Sequence, residues 1–351
     1  MIQYRLVRRG SSLPTAVSSL CVKAPRSDTR PLGNASRTLL FDIHRLDWCE
    51  ELLDLFDVPR GCLPDVVASD AGGMETVATG SFPVLAIAAV AADSHAALYG
   101  LNCIRAGTAK ATYGTGTSVM AGTGTERRKS SSGLATTIAW LRGNGSPTFA
   151  LEGNIVSSGA TLEWLARLLG LPDASHVQRL AASVPDSGGV RVVAGFVGLG
   201  APHWQPHARG RITGLTFASG PRELARAAME SIAFQVTELV AALDDDLEQP
   251  IDELRVDGGA SWNDTLMQFQ ADLLDCAVVR SDAADAAALG VAFLAGLRVG
   301  IFENEHAIAE LPRRGERFDP RMSSTERAEL LGSWREVVLG ATAAARVEAI
   351  T

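Results

Sequence analysis

Four short stretches of the chain combine residue types that could grip a phosphate or move a proton. Asp93 follows an apolar run and precedes a helical pattern. A carboxylate at such a crevice can take a proton from a hydroxyl nucleophile, and it can equally serve as a plain helix N-cap. Residues 113–117, YGTGT, place glycines at 114 and 116, where positive φ would let backbone N–H groups converge on phosphate oxygens with the Thr115 hydroxyl as a further donor. A simple hairpin turn explains the same residues, and the lysine-plus-hydroxyl ending of a P-loop is missing. Gly159 with Glu163 forms the third stretch, and residues 257–264, DGGASWND, the fourth. In the latter a strand meets two glycines at a helix start, which brings backbone close to the adenosine or phosphates of a nucleotide. His203 and His207 lie four apart, but Pro202 and Pro206 bar the helix that would make them a metal pair. Ser94 and His95 adjoin Asp93 without a nucleophile-elbow pattern around them.

The elements that must position these residues follow from the hydrophobic pattern. Residues 84–91 are apolar without interruption, which predicts a buried strand of an α/β sheet, and 95–104 a helix. Residues 110–124 alternate β-formers around glycines and predict a strand, a tight turn and a second strand, with further strands at 134–141 and 148–151. A helix over 158–169 carries Leu162, Leu165, Leu168 and Leu169 on one face. Residues 190–197 read as a strand leading into the loop GLGAPHWQPHARG, and 221–247 as a long helix with proline in its first turn. Asp244, Asp245, Asp246 and Glu248 stand at the negative end of that helix's dipole, which should fray it. A strand at 254–257, a helix at 265–274, a short strand at 277–279 and a helix at 284–299 complete the series. Upstream, residues 47–56 predict a short helix stopped by Pro59 and Gly61. Strands and helices alternate, so the class is α/β.

Composition narrows the function. With 351 residues, 46% hydrophobic and 21% charged, the chain can build a core. A net charge of −8 argues against a protein that tracks nucleic-acid phosphates. Cys21, Cys49, Cys62, Cys103 and Cys276 are odd in number and form no CxxC pair, the pattern of reduced thiols in a cytoplasmic protein. The longest apolar run, 84–92, is too short to span a bilayer, so no membrane association is expected. Residues 1–32 set Arg5, Arg8, Arg9, Lys23, Arg26 and Arg30 against the single acid Asp28 and read as an irregular basic leader.

Taken in order, the segments resemble the FGGY carbohydrate kinases, most closely the glycerol kinase type. ADSHAALYG (92–100) is similar to the family's GDQQAALFG, and KATYGTG (110–116) to its K-x-TYGTG. The stretches at 34–60, 149–165, 195–215 and 254–274 continue the match, and 210–230 resembles the second family signature. The resemblance runs over about residues 33–302.

The resemblance implies an actin-like ATPase, RNase H-like fold. A remnant of an amino-terminal lobe would occupy 33–104, a nearly complete carboxyl-terminal lobe 105–302 and a helical tail 303–351. It implies ATP-dependent phosphorylation of a polyol or sugar hydroxyl, with Mg²⁺ offsetting phosphate charge. Asp93 then matches the catalytic base, with Ser94 beside it on the substrate side. Thr115 matches the phosphate-loop threonine, and Gly159, Gly259 and Asn263 match nucleotide contacts. Glu163 stands where glutamine is usual. Ala92 replaces the glycine before the base, Ser94 and His95 replace paired glutamines, Gln205 an acid and Ala287 a threonine. These departures widen the expected substrate from glycerol to glycerol or another polyol. The family's Asp-Gly-Thr loop and its Arg-Glu, Trp and Tyr substrate contacts have no counterpart before Asn34. The expectation is therefore a polyol kinase with impaired turnover, or else a non-catalytic nucleotide-binding or interaction module derived from one. The expected partner is a small molecule, with a homo-oligomer left open. An NAD-binding oxidoreductase is disfavoured because no GxGxxG follows a predicted strand. In such a remnant, the strand at 84–91 would also show an unpaired apolar edge.

Overall fold

The computed structural model describes residues 22–23, 29–76, 83–143, 145–283, 285–311 and 315–348. Most of the basic leader, Cys21 included, lies outside the described residues.

A seven-stranded sheet organises the chain. Its strands are β1 (Thr108–Tyr113), β2 (Thr117–Gly124), β3 (Ala135–Trp140), β4 (Thr148–Ile155), β5 (Glu253–Asp257), β6 (Ala277–Ser281) and β7 (Gly315–Phe318). They lie in the order β3-β4-β2-β1-β5-β6-β7. Strands β1, β5 and β6 are parallel, and the remaining pairs are antiparallel. Helices α1 (Asp93–Gly100), α2 (Gly159–Leu168), α3 (Ala174–Ala182), α4 (Pro221–Leu247), α5 (Asp264–Leu274), α6 (Ala286–Arg298) and α7 (Ser324–Glu348) pack on it.

Strand periodicity divides the sheet into two unlike faces. Ala109, Ala111 and Tyr113 of β1 join Val119, Leu151, Leu254 and Val256 in a core closed by α2 to α5 and α7. On α7, Trp334 stacks on Phe234 of α4 with ring centroids 4.9 Å apart. The opposite face carries α1 and α6, which meet through glycines. A Cβ on Gly290 would lie 1.8 Å from the Ala96 carbonyl oxygen, and one on Gly100 would lie 2.1 Å from that of Ala286. The two helices therefore touch backbone to backbone.

Three expectations are corrected. Of residues 84–91 only Ala86–Ile87 is a strand, and it belongs to a separate small sheet. An apolar run is buried only where both its faces find partners. Here Ala89 and Ala91 pack against the α1–α6 core, while Val84 and Leu85 remain 52% and 53% exposed. Among the described residues Ala86–Ile87 pairs with Met74–Thr76 on one side alone.

Helix α4 does not fray. Arg128 donates to the carbonyls of Asp246 and Leu247 at 3.2 and 3.1 Å, Ser131 and Ser130 bond the Asp246 carboxylate, and Asp244 accepts from the Ile251 amide at 2.8 Å. A cation caps the helix end and each of these two acids has its own donor, so the dipole penalty is offset. Upstream, the helix expected at 47–56 is confined to Glu50–Leu55. Asp47–Trp48 instead pairs with Phe41–Asp42, and the Trp48 indole donates to the Pro64 carbonyl at 3.0 Å.

Cys49, Cys62, Cys103 and Cys276 are free. Among the described residues no helix is long and apolar enough to cross a membrane.

Candidate active site

The β1–β2 hairpin forms the centre of the site. Its tip closes with the Gly114 amide donating to the Gly116 carbonyl at 2.9 Å. Neither glycine has positive φ, contrary to the sequence expectation. Close approach is what requires Gly116 and Gly159, whereas a Cβ on Gly114 would meet only the Gly116 carbonyl oxygen at 3.4 Å. A Cβ on Gly116 would lie 2.5 Å from the Ile155 carbonyl oxygen, and one on Gly159 would lie 2.6 Å from that of Gly114. The first amides of α2 are spent on the hairpin: Gly159 donates to Gly114, and Ser158 and Ala160 to Thr115, each at 3.1 Å. Beneath them the Thr117 and Ser158 hydroxyls bond at 2.7 Å in a fully buried pair. The Thr115 side chain is exposed at the tip, and Glu163 is exposed one turn along α2 on the side of Gly159.

The turn after β5 leans on the same hairpin from its other side. Gly258 has φ +92°, and a Cβ there would lie 2.5 Å from the Tyr113 carbonyl oxygen. Gly259 opens a single 3₁₀ turn to Trp262, and a Cβ on it would meet nothing within 4 Å. Asn263 is committed to its helix: its Oδ1 caps α5 by accepting from the Leu266 amide at 3.0 Å. The Trp262 indole is exposed, with the Arg280 guanidinium 4.9 Å from its centroid. Arg280 is itself held by the Ser261 carbonyl at 3.0 Å, by Asp264 at 2.8 Å and by Glu316.

Asp93 and Ser94 approach on α1, over the other face of the sheet. The N-cap of α1 is Ala92 and no side chain caps the helix, so Asp93 is not the plain N-cap its position allowed. Its exposed carboxylate accepts from the Ser94 amide at 2.7 Å. Next to it His95 is buried, with Nε2 3.2 Å from the Thr137 hydroxyl. Burial, with Arg37 and Lys110 nearby, pushes the imidazole down to about 3, so it stays neutral. His203 pairs with Glu238 at 3.0 Å.

The structure thus gathers Thr115, Gly159, Glu163 and Gly259 along one rim, turns the Asn263 oxygen inward, and sets Asp93 with Ser94 on the far side of β1. The matching family model is the FGGY family of carbohydrate kinases, C-terminal domain, over residues 109–299, a span that contains Thr115, Gly159, Glu163, Gly259 and Asn263 and begins after Asp93 and Ser94.

The chain belongs to the FGGY family of carbohydrate kinases.

Among FGGY relatives, the glycerol kinase of Dechloromonas aromatica is 46% identical over 308 residues, covering 87% of this chain and 61% of that protein. The chain therefore spans about three-fifths of the curated relatives it matches. The structure of Plasmodium falciparum glycerol kinase with ADP superposes with TM-score 0.79 at 31% identity, covering 89% of this chain and 63% of that one. A xylulose kinase from Lactobacillus acidophilus superposes with TM-score 0.74 at 19% identity, covering 90% and 65%, a likeness of fold alone. The architecture of this FGGY chain is the actin-like ATPase fold. Sequence reasoning assigned Lys110 and Thr112 no role beyond the K-x-TYGTG match and passed over Glu152; with Ser118 they form a polar layer in which Lys110 and Glu152 are buried and Thr112 is half-buried. The signal was there: Thr108, Lys110 and Thr112 alternate with alanines along β1.

Proposed function

We propose that this chain binds ATP along the rim and serves transfer of its γ-phosphoryl to a hydroxyl of glycerol or a similar polyol. The observation that carries the reading is the mutual lock of three turns: α2 begins on the carbonyls of Gly114 and Thr115, and Gly258 closes on that of Tyr113. A family relative whose structure holds ADP supports the nucleotide half. Thr115, Gly159, Glu163, Gly259 and Asn263 are the proposed nucleotide contacts, with the open space beside Gly259 fitting a ligand that backbone must approach closely.

Asp93 is the proposed base, with Ser94 beside it toward the substrate. As the hydroxyl oxygen bonds to the γ-phosphorus and the bond to the leaving ADP oxygen breaks, the carboxylate takes the hydroxyl proton. For Mg²⁺, which would offset charge on the nucleotide phosphates, the fitting observation is Asp257. One of its carboxylate oxygens is buried without a hydrogen-bond partner among the described residues, and Asp257 is the acid that would hold the ion.

Turnover by this chain is expected to be slow. Phosphoryl transfer rests on positioning and on a water-excluded site, and the Asp93 carboxylate stands exposed. Two measurements on the purified chain test these statements. Glycerol-dependent ADP release is expected to be far below a kinase rate; release at an ordinary kinase rate overturns the impairment. Millimolar ATP is expected to change the fluorescence of Trp262, which adjoins the Gly259 turn. If neither fluorescence nor calorimetry registers nucleotide, the chain does not use this rim for ATP.

A further inference from the structure

We propose that Lys110 is a positioning residue for the nucleotide phosphates, holding together the strand ends that carry the three turns. The inference rests on the nucleotide reading above. Lys110 is fully buried in the middle of β1, on the face opposite the main core. Its Nζ donates to the Thr112 hydroxyl on the same strand at 3.1 Å and to the Ser118 hydroxyl on β2 at 3.2 Å.

Each contact leads onward. Thr112 pairs in register with Asp257 at the end of β5, and the Asp257 carboxylate is the foremost acid facing the ammonium. The Ser118 hydroxyl donates to Glu152 on β4 at 3.2 Å, and Arg37 pairs with the other Glu152 oxygen at 3.0 Å. One ammonium therefore ties β1, β2, β4 and β5. These strands run directly into the hairpin tip, the start of α2 and the Gly258 turn. Asp93 also lies within electrostatic reach of the same ammonium.

A lysine desolvated this completely is tolerated only with its partners held in place. Apolar packing gives no reason for it, since Ala109 and Ala111 on either side supply the main core. The rim has little slack to lose: the glycine approaches at Gly116, Gly159 and Gly258 are already 2.5 to 2.6 Å for a notional Cβ. With the ammonium gone, Asp257 and Glu152 repel instead of sharing a cation, and the strand ends shift relative to one another.

The test compares ADP with adenosine on the full chain by calorimetry, for wild type, Lys110→Met, Lys110→Arg and the uncharged double variant Thr112→Val with Ser118→Ala. Loss of a charge-assisted bond network is expected to weaken ADP by about tenfold or more in Lys110→Met. Adenosine affinity should not change, the double variant should follow Lys110→Met, and Lys110→Arg should recover part of the loss. Equal loss for both ligands, or no loss for ADP in a folded variant, overturns the proposal while leaving the nucleotide reading intact. A wild-type chain that binds neither ligand overturns the nucleotide reading and this proposal with it.

Discussion

Replacing Asp93 with asparagine is expected to slow phosphoryl transfer to glycerol by about 10²–10⁴-fold, the usual contribution of a positioned general base. Asparagine keeps the size of the side chain and an oxygen to accept from the Ser94 amide, which Asp93 does at 2.7 Å. What it loses is the ability to take a proton. The folded state should barely register the change, because Asp93 is exposed and caps nothing, and such surface substitutions stay within about 0.5 kcal/mol. Nucleotide affinity should also hold, since Asp93 sits on α1 and the rim is built by the hairpin, α2 and the Gly258 turn. Single-turnover measurement with the chain in excess over labelled ATP reads slow transfer directly, so a low wild-type rate does not hide the comparison. An unchanged rate in the variant would remove Asp93 from the chemistry.

The second large effect is expected from Gly258→Ala. Gly258 has φ +92° and ψ 169°, a region essentially confined to glycine, where another residue costs about 1–3 kcal/mol. The new Cβ would also lie 2.5 Å from the Tyr113 carbonyl oxygen and 2.8 Å from its backbone nitrogen and carbon. Forcing atoms into a filled site costs about 1–3 kcal/mol more, so the sum is about 2–6 kcal/mol. That is a large share of the about 5–15 kcal/mol that keeps a domain folded. A marked fall in melting temperature is expected, with nucleotide binding lost where the protein is still folded. Gly259→Ala is the control one residue away: its Cβ meets nothing within 4 Å, so melting should be unaltered, and any weakening of ATP binding then reports the ligand rather than the fold. Equal melting temperatures for wild type and Gly258→Ala would show that the Tyr113 contact is dispensable.

Elements were legible where a single segment settles its own pairing. The KATYGTGTSVMAGTG stretch forms the hairpin of β1 and β2, and α4 runs over Pro221–Leu247 as its pattern indicated. Strand formation was misread at residues 84–91, because an apolar run does not say whether a partner exists on each side. Fraying was misread at the end of α4, because Arg128, 118 residues away in the chain from Asp246, supplies the cap. Within the site, Gly114 and Gly116 were marked by type for positive φ, which neither has; Gly116 is needed for its close contact with β4.

By its order of motifs alone the sequence determined the family and the α/β class, and it marked the residues proposed to meet a nucleotide or a hydroxyl. Those depend on residue identity and near spacing, which a linear string preserves. Only the tertiary structure decided that three separate turns share one rim, that Asn263 directs its oxygen to its own helix, and that Lys110 sits beneath them all. The rim and the Lys110 network join residues far apart in the chain, such as Ser118 with Glu152 and Tyr113 with Gly258. Pairing of that kind is settled by the whole sheet, whose order places β5 beside β1 and β4 beside β2, and no local pattern encodes it.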